Sequence, residues 1–158
     1  YKTHIYDPNP DAPAFDVASL RTIGSFQDRG RLKKFAKKID LVTFEFENVP
    51  DSTLDEIGNL VSVFPPKNAL SISQDRLKEK QFFNKLTLNT VDYEPVHTFE
   101  DFSQAIVKIK TPSILKTCRE GYDGKGQLLI KKNTTKKKIE KNILIGPRIL
   151  ESLIDFNK

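Results

Sequence analysis

Residues 112–130 read PSILKTCREGYDGKGQLLI. The stretch opens with the apolar pair Ile114-Leu115 and closes with Leu128-Leu129-Ile130. Between them lie Lys116, Arg119, Lys125 and three glycines, Gly121, Gly124 and Gly126. Two short strands joined by a flexible, positively charged loop is the simplest fold for such a segment. Glycines admit positive φ and let backbone amides approach a ligand closely. Successive amides beside lysines form a cradle for phosphate oxygens. An ordinary hairpin turn with exposed lysines satisfies the same pattern. The spacing is not that of a Walker A loop, because no Gly-Lys-Ser/Thr follows the required spacer.

The elements around this hairpin alternate without repeating. Upstream, Asn89 to Val96 reads as extended. Thr98 with Asp101 predicts a capped helix whose stripe is Phe99, Phe102, Ala105, Ile106 and Ile109, ended by Pro112. Before that, Ser73 is expected to cap a helix from Gln74 to Leu86. Phe82, Phe83 and Leu86 should pack inward there, and Arg76, Lys78 and Lys80 should stay in solvent. Downstream, the basic tract Lys131 to Lys138 reads as a turn and a short helix. Ile143-Leu144-Ile145 and Arg148-Ile149-Leu150 then supply strand material leading into Glu151-Ser152-Leu153-Ile154. This half is α+β.

The first half has another rhythm. Thr3 to Tyr6 reads as a strand entering the rigid loop Asp7-Pro8-Asn9-Pro10-Asp11. Arg21 to Ser25 can form a brief strand, and Asp28 to Lys38 an amphipathic helix with Leu32, Phe35 and Ala36 inside. Asp40 to Phe44 reads as a buried strand, Ser52 with Asp55 as a helix cap, and Leu60 to Phe64 as another short strand. Strand, helix, strand, helix, strand indicates a parallel α/β sheet. Ligands in such sheets sit at strand carboxyl ends. Asp7 lies at one such end and Glu45, Glu47 and Asn48 at another. The same residues can equally cap a turn or the following helix. Pro65-Pro66 is the expected boundary between the halves.

Composition sets the outer limits. The chain has 158 residues, enough for one domain or parts of two. It contains no methionine, which predicts an internal piece of a longer chain, and one cysteine, which excludes an internal disulfide or a multi-cysteine zinc site. Lys116 and Arg119 favour a lowered pKa for Cys118, but with no histidine nearby it reads as a small strand-end residue. His4 and His97 lack metal-ligand spacing and read as structural. No apolar run approaches membrane-spanning length. The net charge of +5 suits anionic ligands. The lysine runs leave a basic nucleic-acid-binding domain as a competing reading, but no interleaved aromatic platform accompanies them.

Several segments together resemble the 5-(carboxyamino)imidazole ribonucleotide synthase family of ATP-grasp enzymes. They are residues 7–14 (DPNPDAPA), 40–50 (DLVTFEFENVP), 71–80 (SISQDRLKEK), 82–86, 114–127 (ILKTCREGYDGKGQ) and 149–154 (ILESLI). They run in family order across nearly the whole chain, and DLVTFEFENVP with GYDGKGQ is particularly specific. The resemblance implies an α/β protein: a Rossmann-like pre-ATP-grasp half over residues 1–65, then the first part of an α+β ATP-grasp domain over 66–158, both incomplete. It implies ATP-dependent carboxylation of 5-aminoimidazole ribonucleotide by bicarbonate through carboxyphosphate, in purine biosynthesis, with ADP and phosphate released. Another ATP-grasp ligase with a different acceptor is the alternative, since ATP-contacting residues are more general than acceptor-contacting ones.

Carried over by position, the resemblance makes Arg76 and Lys116 ATP-binding residues and makes Gly121, Tyr122, Asp123, Gly124, Lys125, Gly126 and Gln127 the lid over the phosphates. Glu151, Ser152, Leu153 and Ile154 become the hinge for adenine. Asp123 and Lys125 fall near the carboxyphosphate as candidate catalytic residues, and Asp7 and Glu47 become candidates for the ribonucleotide. The resemblance further implies Mg²⁺, a cytoplasmic homodimer, and neither nucleic-acid nor membrane partners. The magnesium ligands are expected beyond Lys158 and a glycine-rich substrate loop before Tyr1, so the 158 residues alone are expected to be inactive. One departure is Glu120, where many relatives carry a bulky apolar residue.

Overall fold

The computed structural model of the chain describes residues 1–121 and 124–155. It divides into two compact units, Tyr1–Ser71 and Ile72–Lys158.

The first unit is α/β. Strand β1 (His4–Asp7) pairs in parallel with β2 (Leu20–Ile23), and β3 (Leu41–Val42) in parallel with β4 (Ser62–Val63). The expected parallel pairing is present, but as two separate two-stranded ladders rather than one sheet. Helix α1 (Arg29–Ala36) starts where the Asp28 carboxylate accepts from the Arg31 amide, and buries Leu32, Phe35 and Ala36 as its periodicity predicts. With Val42 and Ile57 of α2 (Asp51–Gly58), Leu32 and Phe35 form one core cluster. A second cluster joins Val49 and Leu54 to Leu70 of α3 (Lys67–Ser73).

Two expectations fail locally here. The strand expected over Asp40 to Phe44 keeps only Leu41 and Val42, because its partner β4 is itself two residues long. Ser52 is not the cap of α2. Pro50 occupies that position in an extended conformation, and Asp51 supplies the first-turn negative charge that favours the helix amino end.

The second unit is a four-stranded antiparallel sheet in the order β5-β8-β6-β7. Its strands are β5 (Tyr93–Val96), β6 (Ser113–Thr117), β7 (Gln127–Ile130) and β8 (Arg148–Ser152). Its helices are α4 (Arg76–Lys85), α5 (Phe99–Ile109) and α6 (Lys136–Ile143). The stretch at 112–130 forms the β6–β7 hairpin, with Leu115 opposite Leu128 and Lys116 opposite Gln127. Side chains alternate between faces along each strand. One face carries Val96, Leu115, Leu128, Ile130 and Leu150, which pack with Phe102 and Ala105 of α5 and Ile139 and Ile143 of α6. The other face therefore carries the apolar Ile114, Leu129 and Ile149 together with Tyr93, Lys116, Gln127 and Glu151. The register places these last four, its polar members, on adjacent strands.

Helix α5 has the full capping box: the Thr98 hydroxyl accepts from the Asp101 amide, and the Asp101 carboxylate accepts from the Thr98 amide. The His97 amide and then the Thr98 amide, both donating to the Asp101 carboxylate at 2.9 Å, hold that carboxyl below its ordinary range. Thr98→Ala is expected to cost about 1 kcal/mol of stability, read as a shift in the denaturation midpoint of the intact protein.

Three helix and strand expectations are corrected in this unit. Ser73 already belongs to α3, so Asp75 caps α4 instead, accepting from the amides of Leu77 and Lys78. Ile143 ends α6 rather than beginning a strand, and Leu144 and Ile145 are exposed in the turn before β8. Phe82, Phe83 and Leu86 do not pack inward, since α4 contains no buried residue. The contacts that α4 makes with the sheet come instead from its polar stripe, Arg76, Lys80 and Asn84 at successive intervals of four.

Candidate functional site

The polar face of the second sheet centres on Glu151. Its carboxylate is buried, with the residue 5% exposed. Lys116 Nζ donates to Glu151 Oε2 at 2.9 Å, and Lys80 Nζ stands 3.7 Å from Oε1. Strands β6 and β8 bring Lys116 beside Glu151, and α4 brings Lys80 across the sheet. Lys80 also lies over the Tyr93 ring, 5.6 Å from its centroid. The Tyr93 hydroxyl in turn donates to Asn84 Oδ1 at 3.0 Å. Beyond Ser152 the ladder ends, and Leu153 and Ile154 leave it as exposed residues.

The glycine loop rises from the other end of the β6–β8 ladder, where Thr117 pairs with Arg148, and its base is tied by arginines. The Arg76 guanidinium donates to the Thr117 carbonyl at 2.9 Å and to the Gly121 carbonyl. The Arg76 amide donates to the Cys118 carbonyl at 2.9 Å. From the start of β8, Arg148 donates to the Gly126 carbonyl at 3.2 Å and to the Asn142 carbonyl at 2.8 Å. Arg148 is almost wholly buried, and burial lowers its pKa from the ordinary value. Arg119 donates to the Gln74 side-chain oxygen. Gly121 and Gly126 are close-approach positions: a Cβ on either would meet the Thr117 side chain under 3.0 Å. Gly124 and Gly126 also have positive φ, and Gly124 faces open space. Glu120 takes a left-handed conformation with φ 59°. Tyr122 and Asp123 lie outside the described residues. Lys125 and Gln127 are exposed on the loop and at its return.

Of the residues singled out in the sequence, Lys116 and Glu151 are thus in direct contact, and Arg76 meets Gly121 at the hairpin base. Lys80, Arg148 and Gln74 were missed. Lys80 alone had a usable signal, its place on one helical stripe with Arg76 and Asn84. Cys118 departs from the pKa its neighbours in sequence suggested. Burial first, then the Asp75 carboxylate, push its thiol up to about 11. Lys116 is engaged by Glu151 and Arg119 by Gln74. At pH 8 only about one thiol in a thousand would be ionised. Iodoacetamide at that pH is expected to leave Cys118 unmodified in the folded protein and to alkylate it in denaturant.

In the first unit, the Asp7 carboxylate accepts from the Asn9 amide at 2.7 Å, which is the turn-capping role. Asp7 also lines a cavity of about 250 Å³ with Tyr6, Phe26, Phe44, Glu45 and Phe46. Glu45 rather than Glu47 shares that wall with Asp7. His4 stacks edge-on against Phe35 and bonds to the Thr22 hydroxyl, and burial holds its pKa down, which fits a structural histidine. Among the described residues, no group of three or more His, Cys, Asp or Glu side chains could hold a metal ion. No helix among them is long and apolar enough to cross a membrane.

Comparison with known proteins agrees with this arrangement. Residues 1–74 match the ribonucleotide synthetase preATP-grasp domain, and residues 81–158 match the ATP-grasp domain. The chain is 37% identical to the bifunctional purine synthesis protein purC/E of Dictyostelium discoideum, covering 99% of the chain and 16% of that protein. It is 36% identical to the N5-carboxyaminoimidazole ribonucleotide synthase of Brucella melitensis, covering 100% of the chain and 44% of that protein. The crystal structure of N5-carboxyaminoimidazole synthetase from Staphylococcus aureus complexed with ADP superposes with a TM-score of 0.94 at 30% identity, over 100% of this chain and 42% of that one. The chain therefore spans less than half the length of each of these relatives. Two adjoining domain matches and full-chain similarity to the same kind of protein agree: the chain belongs to the N5-carboxyaminoimidazole ribonucleotide synthase family of ATP-grasp proteins.

Proposed function

We propose that the chain supplies the nucleotide-binding face of an ADP-forming ligase that carboxylates 5-aminoimidazole ribonucleotide with bicarbonate, giving N5-carboxyaminoimidazole ribonucleotide in purine biosynthesis. The observation that carries this reading is the buried Lys116–Glu151–Lys80 cluster beside a glycine loop anchored at its base. In this reading Lys116 and the loop amides, with Lys125, bind the phosphates of ATP. The backbone of residues 151–154 and the Glu151 carboxylate meet adenine. Arg76 acts by holding the loop base, through the Thr117 and Gly121 carbonyls. Asp123 and Lys125 stand at the carboxyl donor. Residues 1–65, through Asp7 and Glu47, serve the ribonucleotide, and residues 66–158 serve the nucleotide. The whole protein works as a cytoplasmic homodimer.

The chemistry asked of these residues is electrostatic. A bicarbonate oxygen attacks the γ-phosphorus, and ADP leaves with the electrons of the broken P–O bond. Carboxyphosphate then yields carbon dioxide and phosphate. The exocyclic amine of the ribonucleotide adds to the carbon and loses a proton. Cations and amides fixed around a transferring phosphoryl group stabilise the charge that develops on it. A closed loop keeps water from the acyl phosphate. ATP chemistry of this kind uses magnesium, but the described residues offer no cluster for it, and none of these steps is assigned to it.

The test is phosphate release by the full-length protein supplied with ATP, magnesium and bicarbonate, with and without 5-aminoimidazole ribonucleotide. Release stimulated by the ribonucleotide is expected. Phosphate release that ignores it would point to a different acceptor.

A further inference from the structure

The buried Glu151 has one more cation than it needs. A single carboxylate meets two ammonium groups, Lys116 at 2.9 Å and Lys80 at 3.7 Å. The side chains are 6%, 22% and 16% exposed for Glu151, Lys116 and Lys80. Taking any one charge out of water is costly unless it is paired. If Lys116 were the sole partner of Glu151, its transfer to an incoming anion would leave a carboxylate buried and unpaired. With Lys80 in place the cluster carries a net positive charge of one. One anionic group can then take Lys116 while Glu151 keeps a counter-ion.

Lys80 is built to stay. It comes from the inward polar stripe of α4, it lies over the face of Tyr93, and Tyr93 is itself fixed by Asn84 on the same helix. An ammonium over an aromatic face gains attraction that grows as the site is desolvated. Lys116 by contrast sits on β6 next to the loop strand and has only Glu151 as an ion-pair partner among the described residues.

We propose that Lys80 is a positioning residue: it retains the Glu151 carboxylate when Lys116 turns to a phosphate of the bound nucleotide. This rests on the nucleotide reading above and deepens it. Without Lys80, Lys116 remains held by Glu151 and is withheld from the phosphates. The loss is therefore specific to phosphate-bearing ligands.

The test measures ADP and adenosine affinities of the full-length protein, by calorimetry for ADP and by competition for adenosine. It compares wild type with Lys80→Met, Lys80→Gln and Lys80→Arg. The glutamine variant keeps a donor without the charge and serves if the methionine variant does not fold. The ratio of ADP to adenosine affinity is expected to fall at least fivefold in the neutral variants and to return with arginine. A ratio that moves less than fivefold, because both ligands weaken together or neither does, overturns the proposal. So does failure of arginine to restore it. A wild-type protein that binds neither ligand sinks the nucleotide reading itself, and this inference with it.

Discussion

Lys116→Met in the full-length protein is expected to lower kcat/KM for ATP by about a hundredfold or more, the scale of losing a fixed donor from a site of developing charge. Its folding stability should stay close to wild type. The two outcomes follow from one geometry. The ammonium of Lys116 is the group that can reach a phosphate, so its loss strikes catalysis. Glu151 is not left alone when Lys116 is removed, because Lys80 stands 3.7 Å from its other oxygen. Steady-state kinetics at varied ATP, with a denaturation curve on the same sample, reads both. Less than a threefold kinetic effect would place the phosphates elsewhere. A collapse in stability would mean that Lys80 does not compensate.

The second large effect is expected at Gly126. A Cβ there would lie 2.8 Å from Thr117 Oγ1 and 2.9 Å from Thr117 Cγ2, on a backbone with φ +73°. Thr117 is β-branched and held in β6, so it has little freedom to retreat. Relief must come from the loop's return strand. That movement would break the 3.0 Å hydrogen bond from the Thr117 amide to the Gly126 carbonyl and the 3.2 Å bond from Arg148. Gly126→Ala is expected to cost about 2–4 kcal/mol, from strain at positive φ and overpacking together. It should also depress ATP-dependent turnover. Gly124→Ala is the internal comparison. It has nearly the same φ, +75°, but open space around it, so only the backbone strain remains and the cost should be about 1 kcal/mol. Equal costs at the two positions, read from denaturant midpoints, would show that the contact with Thr117 does not matter.

What could be read in the sequence was local. Thr98 and Asp101 cap α5 because a capping box needs only four residues and their own backbone. The hairpin at 112–130 forms because two apolar runs flank glycines that can take positive φ. The polar site was only half legible. Lys116 and Glu151 are separated by 35 positions. No periodicity predicts that pair; the antiparallel register of β6 and β8 creates it. Helix α4 was read the wrong way round. Phe82 and Phe83 suggested an inward apolar face, yet the groups that meet α4 are the Thr117 carbonyl, the Glu151 carboxylate and the Tyr93 hydroxyl, so the arginine–lysine–asparagine stripe turns toward them. Arg148 has a different reason: it looked like the start of an apolar strand, and it lies buried on the core-facing side of β8 because the Asn142 and Gly126 carbonyls accept its guanidinium protons. In the first unit, short ladders made the strands less extensive than their apolar runs suggested.

The most direct test of the account is a crystal structure of the full-length protein with ADP. The account predicts phosphate oxygens within hydrogen-bond distance of Lys116 Nζ and the amides of the glycine loop, with Lys80 still on Glu151. Phosphates bound away from Lys116, with the Lys116–Glu151 pair intact beneath them, would contradict it.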